Sequence, residues 1–363
     1  MRGYLLAATV LLGGCLDPGL SGTRQVVVIA ANDSGDYGLR ERTVTADDFT
    51  TLEGESVRLV SRPTLLVDVD TEQVSVEGDD AMHVGYSEDG GALVPTGYLG
   101  LVALTTYHHM SESHAYFRSL GLGDSGNDMP QQRVMFLPEL KVAGEVGTVP
   151  ANDNMAYVPQ VGAFIVLAED QFDAIPLAAN HGVVAHEFSH AVLHHLTEEA
   201  GAPPDERLGW DEESANFWRS LHEGLADVHG AGITNDANFM AASVNGQFGD
   251  RDLSSDHVLT DFMLFDAESS FSYDPYPLGS VLAATFWSYR DELMAQGMSA
   301  DEARSHMART AFDAVRTLDL SSQGFHIADY LTEAGVNASD GAAWCAAVQQ
   351  HFSIIMDQVG GCP

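Results

Sequence analysis

Residues 183–195 read Val-Val-Ala-His-Glu-Phe-Ser-His-Ala-Val-Leu-His-His, and within them His186-Glu187-Phe188-Ser189-His190 sets two histidines four positions apart. Residues at that spacing share one helical face with Cβ atoms about 5 to 6 Å apart, so two imidazoles can close on one tetrahedral ion, for which zinc is expected. Glu187 sits one position off that face. It is too far round to be a third ligand but near enough to reach a water on the metal, the position of a general base. With 15 His in 363 residues, such a pentapeptide arises by chance in roughly a few per cent of comparable chains, so its surroundings decide. Val183, Val184, Phe188, Ala191, Val192 and Leu196 give the helix apolar positions to bury, no proline interrupts it, and Pro203 and Pro204 after Gly201 end it. A buried helix carrying two His and a Glu must satisfy them, and a metal does so at once.

The third ligand follows downstream. Residues 211–230 form a second helical pattern, with Asp211 able to cap it and Phe217, Trp218, Leu221, Leu225 and Val228 on its apolar side. Glu223 and Asp227 lie four apart in it, one carboxylate for the metal and one for the ring N–H of a ligating His. Gly224 and Ala226 are small enough for two helices to approach closely. In a chain with 53 Asp and Glu a solvated acidic face is the other reading of the two carboxylates, and the first helix tips the choice toward metal.

Together these helices resemble the thermolysin-like metallopeptidases of the gluzincin group, including their fungalysin-like relatives, which pair His-Glu-x-x-His on one helix with Glu-(small)-x-x-Asp on the next. The resemblance implies an α+β, two-lobed zinc peptidase: a β-rich N-terminal lobe, a mostly helical C-terminal lobe and zinc in the cleft. It implies His186, His190 and Glu223 as ligands, Glu187 as catalytic base and Asp227 as partner of His186, with His222, where the family usually has Asn, orienting His190. Asn154-Met155-Ala156-Tyr157, followed by a strand at 163–167, resembles the segment with which the family lays an edge strand beside its substrate, which implies Asn154 and Ala156 as substrate-binding; Met155 replaces an Asn that often grips the peptide. An extended peptide can add to such an edge as one more strand. Arg251 aligns with a family Arg that holds a substrate carbonyl, although neutralising a local Asp is an equal reading. Tyr276, which runs into Gly279, Val281, Ala283 and Trp287, stands where relatives carry the His that donates to the developing oxyanion. A neutral phenol can donate there too.

Outward from these segments the chain falls into four parts: an export signal at 1–14, a β-rich region at 15–94, a mixed α/β lobe with the zinc helices at 95–230 and a helical lobe at 231–363. One Arg, an apolar run at 5–12 and Gly13-Gly14 before Cys15 describe an export signal too short to span a bilayer. The pattern resembles a bacterial lipobox, implying lipidation of Cys15 and attachment to the cell envelope by that anchor alone. Cys345 and Cys362 read as a disulfide in an exported protein. Strands are expected at 26–30, 57–60, 64–69 and 74–76, a helix across 98–120, and further helices at 281–296, from Ser299, at 326–334 and at 340–358. His108, His109 and His114 are read as structural, their spacing giving no carboxylate partner.

A net charge of −37 excludes nucleic acid as a partner, since the electrostatic term would be repulsive. The acidity also fits calcium, with Asn152, Asp153, Asp250, Asp252 and Asp256 as candidates whose other reading is solvated loop. The function expected is hydrolysis of peptide or protein substrates. A non-catalytic zinc-stabilised surface protein, and a peptidase restricted to its own chain or one partner, are the alternatives.

Overall fold

The computed structural model describes residues 20–362 apart from 33, 69–72, 125, 127, 144–153, 168–174, 199–202, 245–250, 270–272 and 322–323. The expected signal, Cys15 and the calcium candidates Asn152, Asp153 and Asp250 lie outside the described residues. Strands come first: β1 (Gly22–Ala31), β2 (Tyr37–Ala46), β3 (Val57–Ser61), β4 (Thr64–Asp68), β5 (Gln73–Glu77), β6 (Tyr86–Asp89) and β7 (Ala92–Pro95). Helix α1 (Tyr98–Leu120) separates them from β8 (Gln132–Phe136), β9 (Glu139–Val142), β10 (Asn154–Val158) and β11 (Ala163–Leu167). Helices follow: α2 (His181–Thr197), α3 (Pro204–Leu208), α4 (Glu212–Thr234), α5 (Ala241–Val244), α6 (Asp261–Ser269), α7 (Tyr276–Ala295), α8 (Ala300–Thr317), α9 (Ile327–Asn337) and α10 (Gly341–His351). Sheets N-terminal and helices C-terminal give the expected α+β class.

The strands form three sheets of order β2-β1-β7-β6, β10-β11-β8-β3 and β5-β4-β9. β3 pairs parallel with β8, and β4 with β9. The N-terminal region is therefore hydrogen-bonded into strands that follow α1. β2 escaped the sequence reading because Arg40 and Arg42 share the inward face with Val44 and Ala46 while Leu39 is exposed on the other, which masks the alternation of a strand with one wet face.

Two hydrophobic cores lie side by side, and α2 is wedged between them. Val183 and Leu193 belong to the helical core, Val184, Phe188, Ala191 and Val192 to the mixed one. A helix apolar on both flanks is a buried helix, which leaves one stripe for His186, Glu187 and His190. Phe188 stacks between Phe117 and Phe164, with ring centroids 5.8 and 5.9 Å away; truncating such a ring to Ala costs roughly 3–5 kcal/mol. Asn180 caps α2 by accepting from Gly182 and Val183 N–H, and also accepts from the Tyr37 hydroxyl at 3.0 Å. The small residues set the spacing of α4: a Cβ on Gly224 would lie 2.7 Å from the Gly279 carbonyl of α7, and one on Gly230 would lie 2.8 Å from the Gly182 carbonyl of α2.

In the C-terminal lobe Ser299 and Glu302 form the expected capping box, and Cys345 is bonded to Cys362. The last helix is shorter than expected. α10 stops at His351, Phe352 leaves helical backbone angles, and a 3-10 segment continues through Ser353–Gln358. Among the described residues no helix is long and apolar enough to cross a membrane.

Candidate metal centre and active site

α2 and α4 bring His186, His190 and Glu223 together, with one possible ligand atom from each lying within 4.8 Å of the others. His186 Nε2 and His190 Nε2 are 3.3 Å apart, and the Glu223 carboxylate stands 3.6 Å from the first and 3.7 Å from the second. Glu223 Oε2 is buried and has no hydrogen-bond partner; the Arg251 guanidinium stands 3.8 Å from it, beyond hydrogen-bond reach. Such an oxygen costs stability unless a positive group meets it. Two imidazole nitrogens and a carboxylate facing one point are the N/O donor set of a zinc site, so the residues fit a metal of that class.

The outer partners fix the tautomers. His186 Nδ1 donates to Asp227 Oδ1 at 2.9 Å, which leaves the Nε2 lone pair directed at His190 and Glu223. Asp227 also receives Arg251: Nε donates to Oδ2 at 3.1 Å, and a second guanidinium N–H closes on Oδ1. Burial opposes ionisation of Asp227, but Arg251 and His186 outweigh it and hold the carboxyl below its usual range. Burial also opposes charge on His186, yet the Asp227 hydrogen bond lifts the imidazole above its ordinary value. His190, buried beside His186 and His222, is held neutral, well below the ordinary histidine range. Burial pushes Glu223 up to about 7.

Glu187 accepts from Tyr157 N–H at 2.8 Å, and its Oε1 lies 3.8 Å from His186 Nε2. Burial raises its pKa against the downward pull of His186 and that N–H. The contact also orients β10, an edge strand paired antiparallel with β11. Since backbone groups alternate sides along an antiparallel strand, Tyr157 and Met155 present theirs to the open edge, while Asn154 and Ala156 turn theirs toward β11. The Met155 N–H is met by the Asn154 side chain at 2.9 Å, and Met155 itself is buried.

Tyr276, 44% exposed, opens α7 with the Arg251 guanidinium over its ring, 4.7 Å from the centroid. Burial of the hydroxyl, then the charge of Glu223, pushes its pKa up to about 12, so the phenol stays a neutral donor. Among the described residues the Asp that Arg251 pairs with is the distant Asp227. His222 stacks parallel to His190 at 6.1 Å and packs on Trp218; its buried Nε2 has no hydrogen-bond partner. Asp252 accepts from Ser254 N–H and O–H, an ordinary turn.

Cavities open on both sides of the cluster. One of about 600 Å³ holds His186, Glu187, Arg251 and Tyr276 with Met155, Met240 and Met263. The other, about 360 Å³, holds His190, Glu223 and His222 with Tyr157. Sequence reasoning missed the methionine lining and the Tyr157 hydroxyl, 2.7 Å from His194 Nδ1; no local spacing announces either. Among solved structures the chain is similar to the precursor of protealysin, a metalloproteinase from Serratia proteamaculans, with 12% identity over 82% of this chain and 87% of that one and a TM-score of 0.42. No family model matches the chain, and no curated protein matches it.

Proposed function

We propose that this chain is an exported, lipid-anchored zinc endopeptidase, with His186, His190 and Glu223 holding the metal. The observation that carries the reading is the buried, unbonded Glu223 oxygen facing two imidazole nitrogens, with Glu187 beside them. Zinc held there would supply Lewis acidity to a peptide carbonyl and would lower the pKa of a water toward 7. Glu187, positioned by Tyr157 N–H and raised in pKa by burial, is placed to take a proton from the attacking water and to pass it to the leaving amine. Tyr276 O–H donates to the oxyanion as charge develops. Asp227 holds His186, and Arg251 holds Asp227, so the guanidinium works on the site through that carboxylate as well as from the cavity wall.

Space on both sides of the cluster suits an extended polypeptide running through, laid along the β10 edge. The methionine-lined cavity suits an apolar side chain, because thioethers adapt to varied shapes. Export and anchoring rest on residues 1–15 and agree with the Cys345–Cys362 disulfide, a bond kept in oxidising compartments. The test is hydrolysis of casein by the full chain, before and after chelation and after zinc is returned. Loss and recovery are expected; cleavage that survives complete removal of metal overturns the reading.

A further inference from the structure

A second set of metal-ligating side chains lies outside this site, where the middle of α1 meets the first residue of α2. His108 Nε2, His109 Nδ1 and His181 Nε2 stand 3.2, 3.5 and 3.7 Å from one oxygen, Glu112 Oε2. The expectation that these α1 histidines lack a carboxylate partner is overturned: Glu112 follows His108 by four residues and His109 by three, one helical turn on the same face. His108, His109 and Glu112 each offer a ligand atom within 4.8 Å of the others. His181 joins from across the helix junction, its ring stacked on His109 at 4.6 Å and 12°.

None of the three nitrogens is satisfied by hydrogen bonding. His108 Nε2, His109 Nδ1 and His181 Nε2 are all buried without a hydrogen-bond partner, although each faces the same carboxylate. For His109 the reason is visible. Its other nitrogen, Nε2, lies 3.1 Å from the Ile29 carbonyl and so carries the proton in the neutral ring. That leaves an Nδ1 lone pair facing a carboxylate lone pair, a repulsive contact unless a cation sits between them. The arrangement, a ring N–H held by a backbone carbonyl while the opposite nitrogen points at a shared centre, is the tautomer control that metal-ligating histidines show. Glu112 is half exposed and borders, with His109 and His181, a cavity of about 680 Å³ to which Asp36 and Asp236 contribute, a route by which a cation can reach the site.

We propose that His108, His109, Glu112 and His181 form a second binding site for a divalent transition cation of the zinc class. Three imidazoles and one carboxylate are the wrong donors for calcium or magnesium, which take oxygen. Four protein ligands describe a structural site. Its consequence is mechanical: the cation ties residue 181, five positions before His186 on the same helix, to the middle of α1 and to the β1 carbonyl behind it. The site is independent of the proposed active centre.

The test is metal counting on the full chain after dialysis against Zn²⁺, repeated with Co²⁺ for its absorption spectrum, with circular dichroism confirming the fold. Wild type is expected to hold two ions. His190→Ala with Glu223→Ala, which removes donors of the first cluster, keeps one, and adding His109→Ala with Glu112→Ala leaves none. His181→Gln weakens the second ion by about tenfold or more. Should the Ala variants fail to fold, His109→Gln with Glu112→Gln carries the same expectation. The proposal is overturned if folded His190→Ala/Glu223→Ala protein holds no ion, as it would were His109 an imidazolium protonated on both nitrogens. It is also overturned if the ion stays after His109 and Glu112 are replaced. Wild type holding a single ion, lost only with His109 and Glu112, supports this site and sinks the active-centre reading instead.

Discussion

The two histidine clusters use the same side chains in opposite settings. His186 and His190 sit one turn apart on a helix between two cores, meet Glu223 from a different helix, and have Glu187 3.8 Å from His186 Nε2 and cavities on both sides. His108, His109 and Glu112 come from a single stretch of α1, with His181 approaching from α2, and all three imidazoles face the one Glu112 oxygen. The first offers three candidate ligands with a further carboxylate beside them; the second offers four and uses its own carboxylate as one of them, although a cavity of about 680 Å³ borders it. Local spacing makes a metal site, and what stands beside it decides whether the site can do chemistry.

The hardest blow to that contrast is Glu187→Gln. It leaves every proposed ligand in place and removes the base, so casein hydrolysis is expected to fall by roughly 100- to 10,000-fold while the metal content is unchanged. A variant with near wild-type turnover makes the two clusters equivalent and leaves the first one structural as well. Tyr276→Phe comes next. The ring under Arg251 is retained and only the O–H is lost, so a drop in kcat of about 100-fold is expected if the phenol meets the oxyanion, with KM little changed. A loss below about tenfold assigns Tyr276 to packing.

Asp227→Asn sharpens the comparison from the ligand side. His186 is oriented by a side chain, His109 by the Ile29 backbone carbonyl. The substitution also removes the charge that Arg251 pairs with. Competition with a chelator should show the first ion bound roughly 10- to 100-fold more weakly and the second unaffected. Equal weakening of both ions would mean that the two sites are coupled through α2.

What the sequence disclosed followed the range of the interactions. His186, Glu187 and His190, like Glu223 and Asp227, are joined by helical periodicity, and the capping box at Ser299 and the strand at Ala163–Leu167 are equally local. The pairing of Arg251 with Asp227 spans 24 residues and the approach of His181 to Glu112 spans 69, and no spacing rule reaches that far. Glu112 was the exception. It stands at helical distance from both neighbouring histidines, but in a chain with 53 Asp and Glu a single carboxylate at that spacing does not stand out. The open edge of β10 was legible as a strand, whereas which of its residues face outward depended on the Tyr157 contact with Glu187.

His229 supplies the control that both clusters lack. It is buried in α4, with Tyr116 O–H 3.1 Å from its Nδ1 and the Phe117 ring 4.7 Å from its own, and among the described residues no carboxylate pairs with it as at the other two sites. Burial pushes its imidazole down to about 3 from the usual 6.5. In that interval the unfolded chain binds a proton that the native chain refuses, so stability must fall as pH falls from 6.5 toward 3. Between pH 6.5 and 5.5 one such group costs about 1 kcal/mol. Urea unfolding at those two values should therefore show a larger loss for wild type than for His229→Gln, whose amide can still meet Tyr116, and the difference should be the same with or without chelator. The share of acid sensitivity that comes from the two clusters behaves otherwise. Protons must displace an ion there, so it grows when metal is present. If the His229→Gln difference itself changes on adding metal, this buried histidine is coupled to a site that it does not touch, and the separation between ligand and core histidines drawn here fails.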